Sequence, residues 1–242
     1  MPDRLFAEPR LAEVYDPLEP DRADLDAYLD MVEEFGARSV LDIGCGTGTL
    51  ATMLARRGVD VVAVDPAQAS LQVARRKPGA DRVRWVHGDV RRLPALQVDL
   101  VTMTGNVAQV FVTDADWMTT LQAARRALQP GGGLVFETRD PAAEAWRSWT
   151  RDQTYRRADI GAIGRVETWV EVTAVTAMTV RFQTTFIFER DGAVLTSEST
   201  LRFRGRDEVL ASLEAAGFLD SEVREAPDRP GLELVFVTRP TA

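Results

Sequence analysis

The sequence predicts an α/β fold, a doubly wound and mostly parallel sheet that carries an inserted antiparallel β meander. Three observations lead there. Residues 39–51, SVLDIGCGTGTLA, run from an apolar strand through alternating glycines straight into a helix. Strand and helix periods then alternate as far as residue 138, the pattern of parallel strands joined by right-handed crossovers. Between residues 164 and 204 the period changes to two, which reads as antiparallel strands with one buried face.

Composition sets the frame for that reading. The 242 residues suffice for one large core, and neither 45% hydrophobic nor 27% charged residues departs from an ordinary globular chain. One domain is expected, with residues 1–37 as an N-terminal arm and helix and 38–138 as a nucleotide-binding core. Residues 139–206 form the inserted lid or meander, and 207–242 a closing helix and hairpin. No apolar stretch is long enough for a membrane span. Residues 1–10 carry acids and arginines where a secretion signal would be apolar, so a cytoplasmic location is expected. Cys45 is the single cysteine and allows no intrachain disulfide. A formal charge of −8 argues against a nucleic-acid partner.

Residues 1–20 read as a polar arm punctuated by prolines. Leu25, Tyr28, Leu29, Val32 and Phe35 then recur at helical spacing and Gly36 closes the helix. Val40, Leu41 and Ile43 form a buried strand, within which Asp42 needs a partner because an unpaired buried carboxylate is costly. Gly44, Gly46 and Gly48 let the backbone turn sharply and approach a ligand, and the N–H groups opening the next helix favour polar or anionic groups. That helix shows Leu50, Met53 and Leu54 on one face and stops at Gly58. Residues 61–64 make a second strand that ends in Asp65.

Leu71 and Ala74 mark the next helix, residues 82–87 a third strand, and residues 98–103 a fourth. Thr104, Gly105 and Asn106 then sit at the carboxyl end of that strand, where open parallel sheets bind ligands. Thr113 and Asp116 form a capping box for a helix with Trp117, Leu121, Ala124 and Leu128 on one face. Pro130 ends it, and residues 134–137 supply the fifth strand. The meander comprises about three strands, residues 166–172, 180–188 and 195–203, with Asp191-Gly192 as the hairpin turn. Residues 207–216 are helical, and residues 218–223 and 232–238 complete a count of seven strands.

The third glycine of the loop arrives one place too early for a dinucleotide-binding fingerprint. VLDIGCGTG instead resembles the first motif of the class I S-adenosylmethionine-dependent methyltransferases of the small-molecule type, and the likeness extends over residues 38–138. That resemblance implies a Rossmann-like methyltransferase fold with S-adenosyl-L-methionine as cofactor and S-adenosyl-L-homocysteine as product. It implies cofactor contacts from Asp42, Gly44, Cys45, Gly46 and Gly48, from Asp65 and Pro66 at the ribose, and from Asp89 and Val90 at the adenine. Thr104 and Asn106 are expected beside the methionine end, and Tyr15 in a lid over the cofactor.

The implied activity is methyl transfer to a small-molecule N or O nucleophile, an in-line displacement that needs positioning more than a fixed catalytic group. No catalytic residue is assigned and no metal site is expected. His87, the only histidine, is read as structural. The acceptor pocket is expected to be lined by Arg139, Trp146, Trp149, Tyr155 and Trp169, under a lid of arm and meander, although the meander strands could instead pair across a homodimer. Two other readings stay open at this point, a nicotinamide-dependent oxidoreductase and a cofactor-binding protein without catalysis.

Overall fold

In the computed structural model, which describes residues 1–240, the chain opens with α1 (Arg4–Ala7), α2 (Pro9–Leu18) and α3 (Asp26–Glu34). Strands and helices then alternate through β1 (Ser39–Ile43), α4 (Thr49–Arg56), β2 (Asp60–Asp65), α5 (Gln68–Ala74) and β3 (Val83–His87). After β4 (Val98–Met103), α6 (Asp114–Ala127) and β5 (Leu128–Arg139) come α7 (Arg151–Thr154), β6 (Arg156–Ile160), β7 (Gly164–Val175), β8 (Thr179–Phe188) and β9 (Ala193–Arg202). The last elements are α8 (Arg206–Ala215), β10 (Phe218–Glu225) and β11 (Glu233–Pro240).

One sheet has seven strands in the order β10-β11-β5-β4-β1-β2-β3. Its pairs are parallel from β3 to β5, while β11 runs antiparallel between β5 and β10. The strand order reverses between β1 and β4, the position at which open α/β sheets bind ligands outside the carboxyl ends of their strands. The apolar runs are buried on both faces. On one side Leu29, Val32 and Leu54 pack over Val40 and Leu100; on the other, Trp117 and Leu121 of α6 and Leu213 of α8 cover Leu41, Val101 and Phe136. Phe136 and Phe236 are register partners across β5 and β11 and stack with centroids 5.1 Å apart. Burying each such side chain contributes about 1.5–3 kcal/mol.

Helix α6 begins as its sequence demands, with the Thr113 hydroxyl accepting from the Asp116 N–H at 3.1 Å. It ends one residue before Leu128, which is extended at φ −83°, ψ 133° and opens β5. The expected helical face therefore loses Leu128. The residue before a proline is pushed out of the helical region, and Gln129 precedes Pro130.

A second sheet of four strands, β6-β7-β8-β9, is antiparallel throughout. The meander thus has one strand more than its alternation suggested, because RRADI in β6 is charged and mostly exposed. The N-terminal arm is helical. Leu11 and Val14 of α2, three residues apart, are wholly buried against Val166, Phe186 and Phe188 of this sheet. Polar clasps reinforce the contact: the Leu5 N–H donates to Ser197 Oγ at 2.8 Å, and Arg10 grips Asp191 with two hydrogen bonds of 2.8 and 2.9 Å. None of the described helices is long and apolar enough to cross a membrane.

Candidate active site

The glycine loop is tied to the ends of β1 and β2. The N–H groups of Gly44 and Cys45 donate to the Val64 carbonyl at 2.8 and 3.2 Å. Asp65 accepts from the Gly46 N–H at 2.8 Å on one oxygen and from the Ala67 N–H at 2.7 Å on the other. Burial pushes its carboxyl above the usual range, and the two N–H donors pull in the opposite direction. A carboxylate has roughly four acceptor sites, so two remain for a ligand.

Two glycines in this loop have different reasons to be glycine. Gly48, at φ +73°, opens α4 against β3, and a Cβ there would come within 2.4 Å of the Trp85 ring and 2.9 Å of Ala74. Gly46, at φ +54°, has nothing within 4 Å of the place a Cβ would occupy. The first is packed and the second faces open space. Beneath the loop, Asp42 is buried and accepts from Thr102 Oγ1 at 3.1 Å. Burial raises its carboxyl to about 7, with the nearby charge of Asp65 adding to the shift and Thr102 opposing it. Burial also pushes the Cys45 thiol up, which fits an inert side chain and not a nucleophile.

The other predicted residues fall into place unevenly. Asp89 caps the short turn Val90–Arg92, accepting from the Arg91 N–H at 2.9 Å, and its carboxylate is paired with the Arg91 guanidinium at 2.5 Å. That ion pair holds its carboxyl below the usual range. The Pro66 carbonyl lies 3.2 Å from His87 Nε2, so the single histidine braces the strand ends. Tyr15 packs against Phe6 and lines the cleft described next. Beside it, Asp16 accepts from Thr47 Oγ1 at 2.7 Å and pairs with Lys77 at 2.7 Å, latching α2 onto the glycine loop.

A cleft of about 400 Å³ opens between α2, α3, the β4–α6 loop and the ends of β5 and β11. Gly105, Asn106 and Arg139 line it, together with Tyr28 and Glu137. Asn106 adopts φ +61°, rare outside glycine, and is 3% exposed. Its N–H donates to Glu137 Oε1 at 2.5 Å and its Nδ2 to Glu233 Oε1 at 3.0 Å. Tyr28 donates its hydroxyl to Glu137 Oε2. Burial raises the Glu137 carboxyl to about 8, the Asn106 N–H works against this, and the neighbouring charge of Glu233 adds to it. Arg139 donates to Gln109 Oε1 at 2.9 Å and reaches Glu233 at 3.7 Å, while Arg229 pairs with Glu233 at 2.7 Å. Thr104 is half-buried and sits outside the cleft lining.

The four aromatic residues expected to line an acceptor pocket do not line this cleft. Trp146 and Trp149 pack edge-on against Phe203 and Phe182, at 4.6 and 5.0 Å, in a small apolar cluster under the meander. Trp169 is buried in β7, donating to Glu171 at 2.7 Å, and Tyr155 is 43% exposed. The tryptophans pack within or under the second sheet, and the cleft is lined by Tyr15, Tyr28, acids and arginines.

Sequence reasoning missed Tyr28, Glu137 and Glu233 as site residues. For Glu137 a signal existed: LVFE places an acid at the end of an apolar strand, the same feature that singled out Asp42. Glu233 and Arg229 gave none, since their position depends on β11 inserting between β5 and β10.

Residues 40–132 match the methyltransferase domain family. Over 121 residues the chain is 36% identical to the cypemycin N-terminal methyltransferase of a Streptomyces species, an alignment that covers 50% of this chain and 49% of that one. The chain thus spans about half the length of that relative. Two solved structures share the fold over nearly the whole chain. Streptomyces venezuelae DesVI superposes with a TM-score of 0.78 at 20% identity, covering 95% of this chain and 98% of that one. The S-adenosylmethionine-bound CalS10, an amino pentose methyltransferase from Micromonospora echinaspora, gives 0.68 at 22% identity, covering 91% and 93%.

Residues 40–132 thus match a methyltransferase domain, and the chain is similar to class I S-adenosylmethionine-dependent methyltransferases. S-adenosyl-L-methionine is the methyl donor of that family, and the open cradle over Gly46, with two unused acceptor positions on Asp65, suits its nucleoside.

Proposed function

We propose that the chain transfers the methyl group of S-adenosyl-L-methionine to a nitrogen or oxygen nucleophile of a small molecule and releases S-adenosyl-L-homocysteine. The observation that carries this reading is the contrast at the glycine loop, where Gly48 is a glycine for packing but Gly46 is one for a ligand. Asp65 would take the ribose hydroxyls on its free acceptor positions, Asp89 and Val90 would flank the adenine, and Gly105 and Asn106 would border the methionine end. The bound cofactor supplies an electrophilic methyl on a sulfonium. This chain's residues orient the groups, and α2 with the second sheet covers the cleft and excludes water.

The acceptor enters through the cleft of about 400 Å³, whose size suits a compact molecule. The acidic balance of the chain, a formal charge of −8, fits the same choice. By their names, one relative acts at the N terminus of cypemycin and one structural neighbour on an amino pentose.

A thermal-shift screen of pooled metabolites with S-adenosylhomocysteine present, followed by methyl-transfer assays on the hits, tests the proposal. Small molecules that both stabilise the protein and become methylated are expected. Methylation of DNA, structured RNA or protein alone would contradict it.

A further inference from the structure

The floor of the cleft contains two acceptors with unused capacity. Glu137 is 5% exposed, and its carboxylate is held only by neutral donors, the Tyr28 hydroxyl and the Asn106 N–H. It forms no ion pair among the described residues, whereas Glu233 beside it already has Arg229 at 2.7 Å and Arg139 at 3.7 Å. Asn106 lines the same cleft, and its Oδ1 is buried without any hydrogen-bond partner. The side chain is not free to turn over, because its Nδ2 is committed to Glu233 at 3.0 Å. A buried acceptor left unpaired, as Asn106 Oδ1 is, costs about 1–3 kcal/mol, and Glu137, though hydrogen-bonded, has no cation, so the pair suits a cationic donor that the chain itself does not supply.

We propose that Glu137 and Asn106 Oδ1 form an amine-receiving subsite, which makes the methyl acceptor a primary or secondary aliphatic amine. This rests on the methyl-transfer reading above and narrows it from nitrogen or oxygen to nitrogen. A primary ammonium brings three N–H donors and a secondary one two, with no lone pair. Either can donate to Glu137 and to Asn106 and adds the cation that Glu137 lacks. One N–H proton would then pass to the Glu137 carboxylate, leaving the nitrogen lone pair free to take the methyl while the C–S electron pair stays on the departing thioether. A hydroxyl brings one donor and two lone pairs, so it satisfies one oxygen and turns its own lone pairs toward the other. Sites that hydrogen-bond a particular polar group reject the isostere that cannot match it. Arg139 and Arg229 do not fill the role, being directed at Glu233 and Gln109.

The experiment uses full-length protein loaded with S-adenosylhomocysteine and titrates cyclohexylamine against cyclohexanol by calorimetry, in the wild type, Glu137→Gln and Asn106→Gly. Glycine accepts the φ of +61° at position 106; it deletes Oδ1 together with the Nδ2 bond to Glu233 and keeps the backbone N–H that Glu137 accepts from, so the second variant stands if the first fails to fold. Cyclohexylamine is expected to bind at least about tenfold more tightly than cyclohexanol, the equivalent of one unmet buried hydrogen bond. Both variants should lose most of that preference, and Glu137→Gln should keep its affinity for S-adenosylhomocysteine. Equal binding of the two probes, binding of neither, or an undiminished preference in both variants overturns the subsite. If Glu137→Gln weakens S-adenosylhomocysteine but not its desamino analogue, the amine in question is the cofactor's own, and the acceptor assignment falls. Failure of S-adenosylhomocysteine to bind the wild type would instead remove the methyl-transfer reading beneath it.

Discussion

The cradle at Gly46 and the cleft floor at Glu137 both place a buried acid at the end of a strand, but they are assembled in opposite ways. Asp65 is held by backbone N–H groups 2 and 19 residues away. Glu137 is held by groups 31 and 109 residues away, and its neighbour Asn106 reaches 127 residues to Glu233. Backbone donors are present in any sequence that makes the turn, so the cradle tolerates changes around it. Donors from distant elements, here the Tyr28 hydroxyl and the Asn106 N–H, meet only once the whole sheet has closed, and they leave specific gaps. The cradle is a general holder, and the floor is where this chain is particular.

The sharpest way to break the distinction is within the glycine loop. Gly48→Ala is expected to destabilise the fold by about 2–5 kcal/mol, combining left-handed strain with overpacking against Trp85. Urea unfolding would show it whether or not ligand is present. Loss of cofactor affinity with stability intact would mean that Gly48, too, serves the ligand.

The next effect comes from pH. Glu137 rises from its ordinary 4.5 to about 8 and Asp42 from 3.8 to about 7, both through burial. A folded state that holds these protons more tightly than the unfolded chain is most favoured at low pH, and it loses that advantage between the ordinary and the raised values. The melting temperature of the free protein should therefore fall from about pH 5 to pH 8, apart from other groups. Glu137→Gln should flatten the slope, and an unchanged slope would show that the Glu137 carboxyl is not the group that titrates.

Gly46→Ala should behave in the reverse manner to Gly48→Ala. Left-handed strain costs about 1–2 kcal/mol of stability, while the added methyl enters open space and should block S-adenosylhomocysteine in calorimetry. The smallest effect belongs to the latch. Asp16→Ala removes partners of Thr47 and Lys77 at 2.7 Å each, and a partly exposed ion pair of this kind contributes about 0.5–1 kcal/mol. Limited proteolysis of residues 1–20 should accelerate. If it does not, apolar contacts through Leu11 and Val14 alone hold α2 in place.

The same division explains what the sequence made legible. VLDIGCGTG, Asp65 twenty residues on, and the strand-helix alternation are local patterns, and the seven-stranded sheet followed from them. Strand β4 falls on residues 98–103, as its apolar run indicated. The arm was harder because α2 mixes Leu11 and Val14 with Glu13, Asp16 and Pro17, and only docking on β7 and β8 gives it an apolar side. The tryptophans drew attention as a group, yet each found its own burial. Tyr28 carries the helical period of α3 and a hydroxyl that reaches Glu137, and periodicity reports only the first of these roles.

The central claim is that the glycine loop at the ends of β1 and β2 holds S-adenosylmethionine through Asp65, and titration calorimetry of S-adenosylhomocysteine into the wild type and Asp65→Ala tests it most directly. The wild type is expected to bind, and the variant to bind more weakly by about 1.5–3 kcal/mol, the worth of hydrogen bonds to a charged acceptor. No binding to the wild type, or equal affinity in the two proteins, would contradict the account.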